Sequence, residues 1–116
     1  MAILIKVDGK ISEVAPIDGE SFYLREMYNL INCNSIEVIY INPVFRSNGN
    51  PNNVRFNCLI VDEEFLLKYE VTSSTINRLA SLIYKTSTKA GGEVVILGNA
   101  LLATIKDSGE DEETIS

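Results

Sequence analysis

Apolar positions along this chain fall in short runs, and each run is closed by a turn signal. Ile3 to Val7 and Ile11 to Val14 are joined by Asp8-Gly9-Lys10. Asp-Gly between two such runs is the strongest short-range hairpin signal, so strands are predicted over 2–7 and 11–15. Pro16 and Asp18-Gly19 end the second strand. Leu24, Met27, Tyr28 and Ile31 then recur at helical spacing, which predicts a helix over about 22–31 with Ser21 as its N-cap. The run from Ser35 to Ile41 is rich in β-branched and aromatic residues and alternates only in part. That pattern suits a central strand buried on both faces, stopped by Asn42-Pro43.

The polar cluster from Ser47 to Asn53 reads as a loop. Val54, Phe56, Cys58 and Ile60 alternate beyond it, so 54–61 is a strand and forms a long hairpin with 35–41. Asp62-Glu63-Glu64 is a turn, and 65–69 a short extended or irregular piece. Ile76, Leu79, Ala80, Ile83 and Tyr84 form one helical face, capped by Ser73, Ser74 or Thr75. Glu93 to Leu97 and Ala100 to Ile105 are apolar around Gly98-Asn99, as a tight hairpin or as one strand with a bulge. The predicted fold class is α+β. Its antiparallel or mixed sheet has 5–6 strands, with two helices packed on one face, in the order ββα-ββ-α-ββ.

Composition narrows the function classes. The 116 residues suit one domain, expected over 1–106 with an acidic C-terminal tail over 107–116. The last ten residues hold Asp107, Glu110, Asp111, Glu112 and Glu113 and no base, so the net charge of −6 is mostly theirs. An acidic end repels nucleic-acid polymers and anionic membranes. No apolar run approaches the roughly 18 residues that cross a membrane, and the start lacks a signal-peptide pattern. The expected location is the cytoplasm, which leaves Cys33 and Cys58 as free thiols. Cys58 reads as core filler, and Cys33, between two asparagines, as exposed.

Histidine is absent, which removes the usual base at neutral pH and the commonest metal ligand. Serine–histidine and cysteine–histidine nucleophile systems therefore do not arise. Neither a zinc site nor a phosphate-loop motif is present. No cofactor, metal or catalytic residue is expected, and Asp62-Glu63-Glu64 reads as a solvated turn rather than a catalytic carboxylate pair. What remains is a polar, basic stretch containing Lys85, Thr86, Ser87 and Lys89, followed by Gly91-Gly92. Ammonium groups, hydroxyls and free amides together hold an anion. Arg78, Asn77 and Asn99 complete the candidate ligand-binding set; Asn77 reads as a first-turn residue beside the helix cap and Asn99 as a turn residue, or either as an amide that reads a ligand through its donor and acceptor.

An ordered set of motifs carries a resemblance. They are Ile5-Lys6-Val7-Asp8-Gly9, Glu13-Val14-Ala15-Pro16, Phe22-x-Leu24-x-Glu26, Ile36-Glu37-Val38-Ile39, Leu59-Ile60-Val61-Asp62-Glu63-Glu64, Asn77-Arg78-Leu79-Ala80 with Ile83-Tyr84, and Ile96-Leu97-Gly98-Asn99-Ala100-Leu101-Leu102. Together, over residues 5–105, they resemble an uncharacterised domain family of small phage and gut-bacterial mobile-element proteins. This chain departs from that pattern in a longer 43–53 insertion and in Phe65, where the family tends to have glycine. The resemblance implies no established enzyme. It implies a small binding protein, expected as a homo-oligomer that sequesters a nucleotide immune signal. The alternative is an inhibitor or adaptor that acts on proteins through an exposed strand edge, on the 35–61 hairpin, or through the acidic tail.

Overall fold

The structure is a computed structural model and describes residues 2–45, 55–68, 70–87, 95–107 and 113–116. Its elements are β1 (Ala2–Ile5), β2 (Ile11–Val14), α1 (Leu24–Ile31), β3 (Ile36–Phe45), β4 (Arg55–Asp62), α2 (Phe65–Lys68), α3 (Arg78–Ser87), β5 (Ala100–Ala103), β6 (Ile105–Asp107) and β7 (Glu113–Ile115). The fold is α+β. Five strands form one antiparallel sheet in the order β2-β1-β5-β4-β3, and β6 pairs with β7 apart from it.

The sheet is covered on both faces, which corrects the expectation of two helices on one. Successive side chains of a strand point to opposite faces. Cys58 and Ile60 of β4 pack with Leu101 and Ala103 of β5 and with Met27 and Ile31 of α1. The intervening Leu59 and Val61 pack with Ala100 and Leu102 and with Ala80 of α3. β4 is apolar and buried from Cys58 to Val61 and β5 at all four positions, so cover on one side alone would leave a row of Leu, Ile and Val in water. A helix on each face solves this.

The central position belongs to β5, not to the 35–41 segment. β3 is an edge strand, and Glu37 and Tyr40 are exposed. It also runs through Asn42-Pro43 to Phe45, with its pairing to β4 shifted between Tyr40 and Val44. Proline is tolerated on an edge strand or at a bulge, where its missing N–H breaks no ladder bond. β3 and β4 do pair antiparallel, as the hairpin expectation has it; the polar cluster from Ser47 to Asn53 lies outside the described residues.

Local signals explain the remaining differences. α1 begins at Leu24 with Tyr23 as N-cap in place of Ser21, because the Glu26 carboxylate accepts from Tyr23 N at 3.3 Å and from Ile17 N at 3.1 Å. Leu24 is 53% exposed, outside the buried face. Residues 65–68 form a helical turn, not an extended piece. Residues 95–97 do not extend the sheet: Leu97 bridges to Ile76, and Gly98, at φ 82°, turns the chain into β5.

The chain end is not a free tail. Thr104 and Ser116 exchange backbone hydrogen bonds at 2.9 and 2.8 Å, Phe22 N donates to Ile115 O at 2.7 Å, and Ile115 packs on the α1 core. The boundary expected at residue 106 falls inside β6. Glu110, Asp111 and Glu112 lie outside the described residues. Among the described residues no helix is long and apolar enough to cross a membrane.

Candidate ligand-binding cleft

One end of the sheet brings together polar residues from distant parts of the chain. There β1 and β4 finish, β2, β3 and β5 begin, α1 terminates and α3 starts. β1 leads into a turn in which Lys6 N donates to Lys10 O at 2.9 Å and Gly9 N to Lys6 O at 3.0 Å. Gly9 sits at φ +91°, a conformation that side-chain-bearing residues rarely adopt. Lys10 N is held by the Asp8 carboxylate at 2.9 Å.

α3 is set against this turn by Asn77. Its backbone N–H donates to Ile96 O at 2.8 Å, and its Oδ1 accepts from Ala80 N at 3.1 Å. Its Nδ2 donates to Ile5 O at 2.9 Å and to Gly98 O at 3.0 Å. Asn77, not Ser73, Ser74 or Thr75, is therefore the N-cap of α3; Thr72 and Thr75 close a turn on each other just before it. Asn77 is 1% exposed with both Nδ2 protons and its carbonyl engaged. It is a structural tie, and its amide is not open to a ligand.

A cleft of about 500 Å³ lies between the turn and the helix, lined by Lys6, Gly9, Ser73, Arg78 and Leu79 among others. Lys6 and Arg78 are exposed, and neither has a carboxylate partner among the described residues. The cap satisfies Ala80 N, while the amides of Arg78 and Leu79 precede the helical ladder. Two mobile cations, a hydroxyl and the positive end of a ten-residue helix thus share one recess. A second recess of about 220 Å³ adjoins at Val7 and is lined by Asn32, Ser74, Thr75, Gly98 and Asn99. Asn99 Oδ1 accepts from Val7 N at 3.2 Å.

The sequence-derived set is thereby split. Arg78 and Asn99 belong to this end of the molecule. Lys85 lies seven residues along α3 from Arg78, about 10 Å at 1.5 Å per residue, and Thr86 donates its hydroxyl to Leu82 O at 2.8 Å. Both are near the helix C-terminus, whose partial negative charge disfavours an anion. The Ser87 side chain and Lys89 lie outside the described residues. Lys6, Gly9 and Ser73 were missed. Lys6 and Gly9 belong to the Asp8-Gly9 hairpin, so the turn was legible, but nothing local says which helix end it meets.

Asp62 is also not a solvated turn residue. It is 3% exposed; its Oδ1 accepts from Glu64 N at 2.9 Å, and Oδ2 lies 3.0 Å from Lys68 Nζ. Lys68 Nζ donates as well to Asn32 O, at 3.2 Å, at the end of α1. The pair ties α2 to α1 and β4. Cys33 is buried rather than exposed, and its burial, reinforced by the Asp62 charge, raises its thiol above the ordinary range. Burial pushes the Cys58 thiol up to about 12. Neither is an activated nucleophile. Among the described residues no group of three or more Cys, Asp or Glu is placed to hold a metal ion.

Comparison with family models, with curated proteins and with solved structures gives no match.

Proposed function

We propose that this protein binds a small phosphate-bearing ligand of nucleotide size in the cleft between the β1–β2 turn and the start of α3, and holds it without transforming it. The observation that carries the reading is the meeting of Lys6 and Arg78, 72 positions apart in sequence, on one recess beside the first amides of α3. Lys6 and Arg78 supply charge-assisted hydrogen bonds to phosphate oxygens, Arg78 in a forked geometry. The helix amides and the Ser73 hydroxyl take the remaining oxygens. A volume of about 500 Å³ falls in the usual range for small-molecule sites. Without histidine, the chain lacks the ordinary means of proton transfer at neutral pH. Sequestration of a nucleotide signal is the activity that such a site supports.

Isothermal calorimetry against inorganic phosphate, AMP, and cyclic mono- and dinucleotides tests this. Micromolar binding of at least one nucleotide is expected, with Lys6→Ala and Arg78→Ala each weakening it about tenfold, as for the loss of one charge-assisted contact. Lys85→Ala leaves it unchanged. No heat with any of these compounds, or equal binding by the Arg78→Ala variant, overturns the reading.

A further inference from the structure

A third recess lies on the α1 face of the sheet. It has a volume of about 320 Å³ and is lined by Val14 and Ala15 at the end of β2, by Ile17, and by Glu26, Asn29 and Leu30 of α1. Ile17 is 86% exposed. The recess borders β2, which among the described residues pairs only with β1 and is an edge of the sheet.

Among the described residues no strand pairs with the outer side of that edge. Lys6 N donates to Lys10 O, so the 6/10 pair is hydrogen-bonded. Antiparallel pairs alternate, so Leu4↔Ser12 and Ala2↔Val14 are the hydrogen-bonded pairs of the β1–β2 ladder. Ser12 and Val14 therefore direct their backbone groups at β1. Ile11 and Glu13 direct theirs outward, two residues apart, as an added strand requires. β2 contains no proline and no bulge among these pairs, whereas the opposite edge, β3, carries both. Val14 shares its face with α1, so an inward side chain of an added strand lies beside Val14 and under Leu30.

The rim fixes the charge of the occupant. Glu26 lines the recess, and Asp18 and Glu20 follow Ile17 in the adjoining turn, where all three carboxylates act on Tyr23; against Arg25 they leave a net of −2. Asp18 accepts from Glu20 N and Ser21 N, which holds its carboxyl below the usual range and keeps it charged. Both Glu26 oxygens face backbone N–H groups.

We infer that β2 and α1 form a docking groove for an extended, basic segment of another protein, which adds a strand along Ile11–Val14 and seats an aliphatic side chain between Val14 and Leu30. Main-chain bonds supply affinity, and the recess and its acidic rim supply specificity. This site is separate from the anion cleft, so each can fail without the other.

Fluorescence anisotropy with labelled eight-residue peptides tests it on the full chain. A peptide alternating Lys and Val is expected to bind in the micromolar range, and one alternating Glu and Val at least tenfold more weakly. Glu13→Pro removes an outward N–H that makes no bond to β1, and is expected to cut binding at least tenfold. Asn29→Arg, on the exposed wall of α1, adds a positive charge to the recess and acts independently of the strand edge; it is also expected to weaken the basic peptide at least tenfold. Circular dichroism confirms that each variant is folded, and Lys6→Ala leaves peptide affinity unchanged. Equal affinity for the acidic and basic peptides overturns the inference. So does unchanged binding by the folded variants. Light scattering that shows a dimer which the basic peptide does not dissociate assigns the edge to a second copy, and that also overturns it.

Discussion

Asn77 Nδ2 donates to the carbonyl oxygen of Ile5 at 2.9 Å, across 72 positions of sequence. The same side chain caps α3 and holds Gly98 O, so one amide joins β1, α3 and the entry to β5. Asn77→Ala removes a cap and two further hydrogen bonds to buried backbone carbonyls, and a loss of about 2–4 kcal/mol is expected. Asn77→Asp keeps the acceptor for Ala80 N but turns a carboxylate toward two carbonyl oxygens, so it recovers little. Urea unfolding measures both.

Lys68→Ala leaves the Asp62 carboxylate buried without its cation. Fully buried pairs cost about 3–5 kcal/mol to break in this way. Lys68 is 37% exposed on its side chain and water partly screens the pair, so about 1–2 kcal/mol is expected. The double variant with Asp62→Asn is expected to recover part of that loss, because it removes the uncompensated charge. A double-mutant cycle in urea reads the coupling.

The Cys58 thiol stays protonated in the folded chain up to about pH 12, against an ordinary value of 9.0. In the unfolded chain it ionises from about pH 9, so its contribution to stability is full below that pH and is lost as pH rises toward 12. Each unit of difference is worth about 1.4 kcal/mol. Unfolding free energies measured from pH 8 to 11 are expected to fall, and to fall less steeply in Cys58→Ala. At pH 8, native protein is expected to react with a thiol reagent only as fast as it opens.

Removing residues 113–116 deletes β7, the Phe22 N to Ile115 O bond and the packing of Ile115. A loss of about 2–4 kcal/mol is expected from these bonds and the apolar contact. A free tail would give no loss. A thermal melt of the truncated chain decides between them.

What the sequence disclosed follows from the range of the interactions. The β1–β2 turn was legible because Asp8-Gly9 specifies it locally, and the α3 face because Ala80, Ile83 and Tyr84 keep helical spacing. Which strand lies at the centre was not, since Ile36–Phe45 and Arg55–Asp62 are similarly apolar and only pairing with β5 separates them. Helices on opposite faces follow from the continuous burial of β4, a property of the sheet rather than of a segment. Asn77 reads from the sequence as a first-turn residue beside the cap or as a ligand contact; its Oδ1 bond to Ala80 N makes it the cap itself, and Ile5 O and Gly98 O, distant in sequence, engage its Nδ2. Lys85 and Thr86 group with Arg78 by nearness along the chain, although Lys85 lies seven positions along α3 from it.

The most direct test of the anion cleft is an amide-resolved nuclear magnetic resonance titration of the full chain with AMP and with inorganic phosphate. The account expects the largest shifts at Lys6, Gly9, Ser73, Arg78 and Leu79, reduced by Arg78→Ala. Shifts centred on residues 85–89, or none at millimolar ligand, would contradict it.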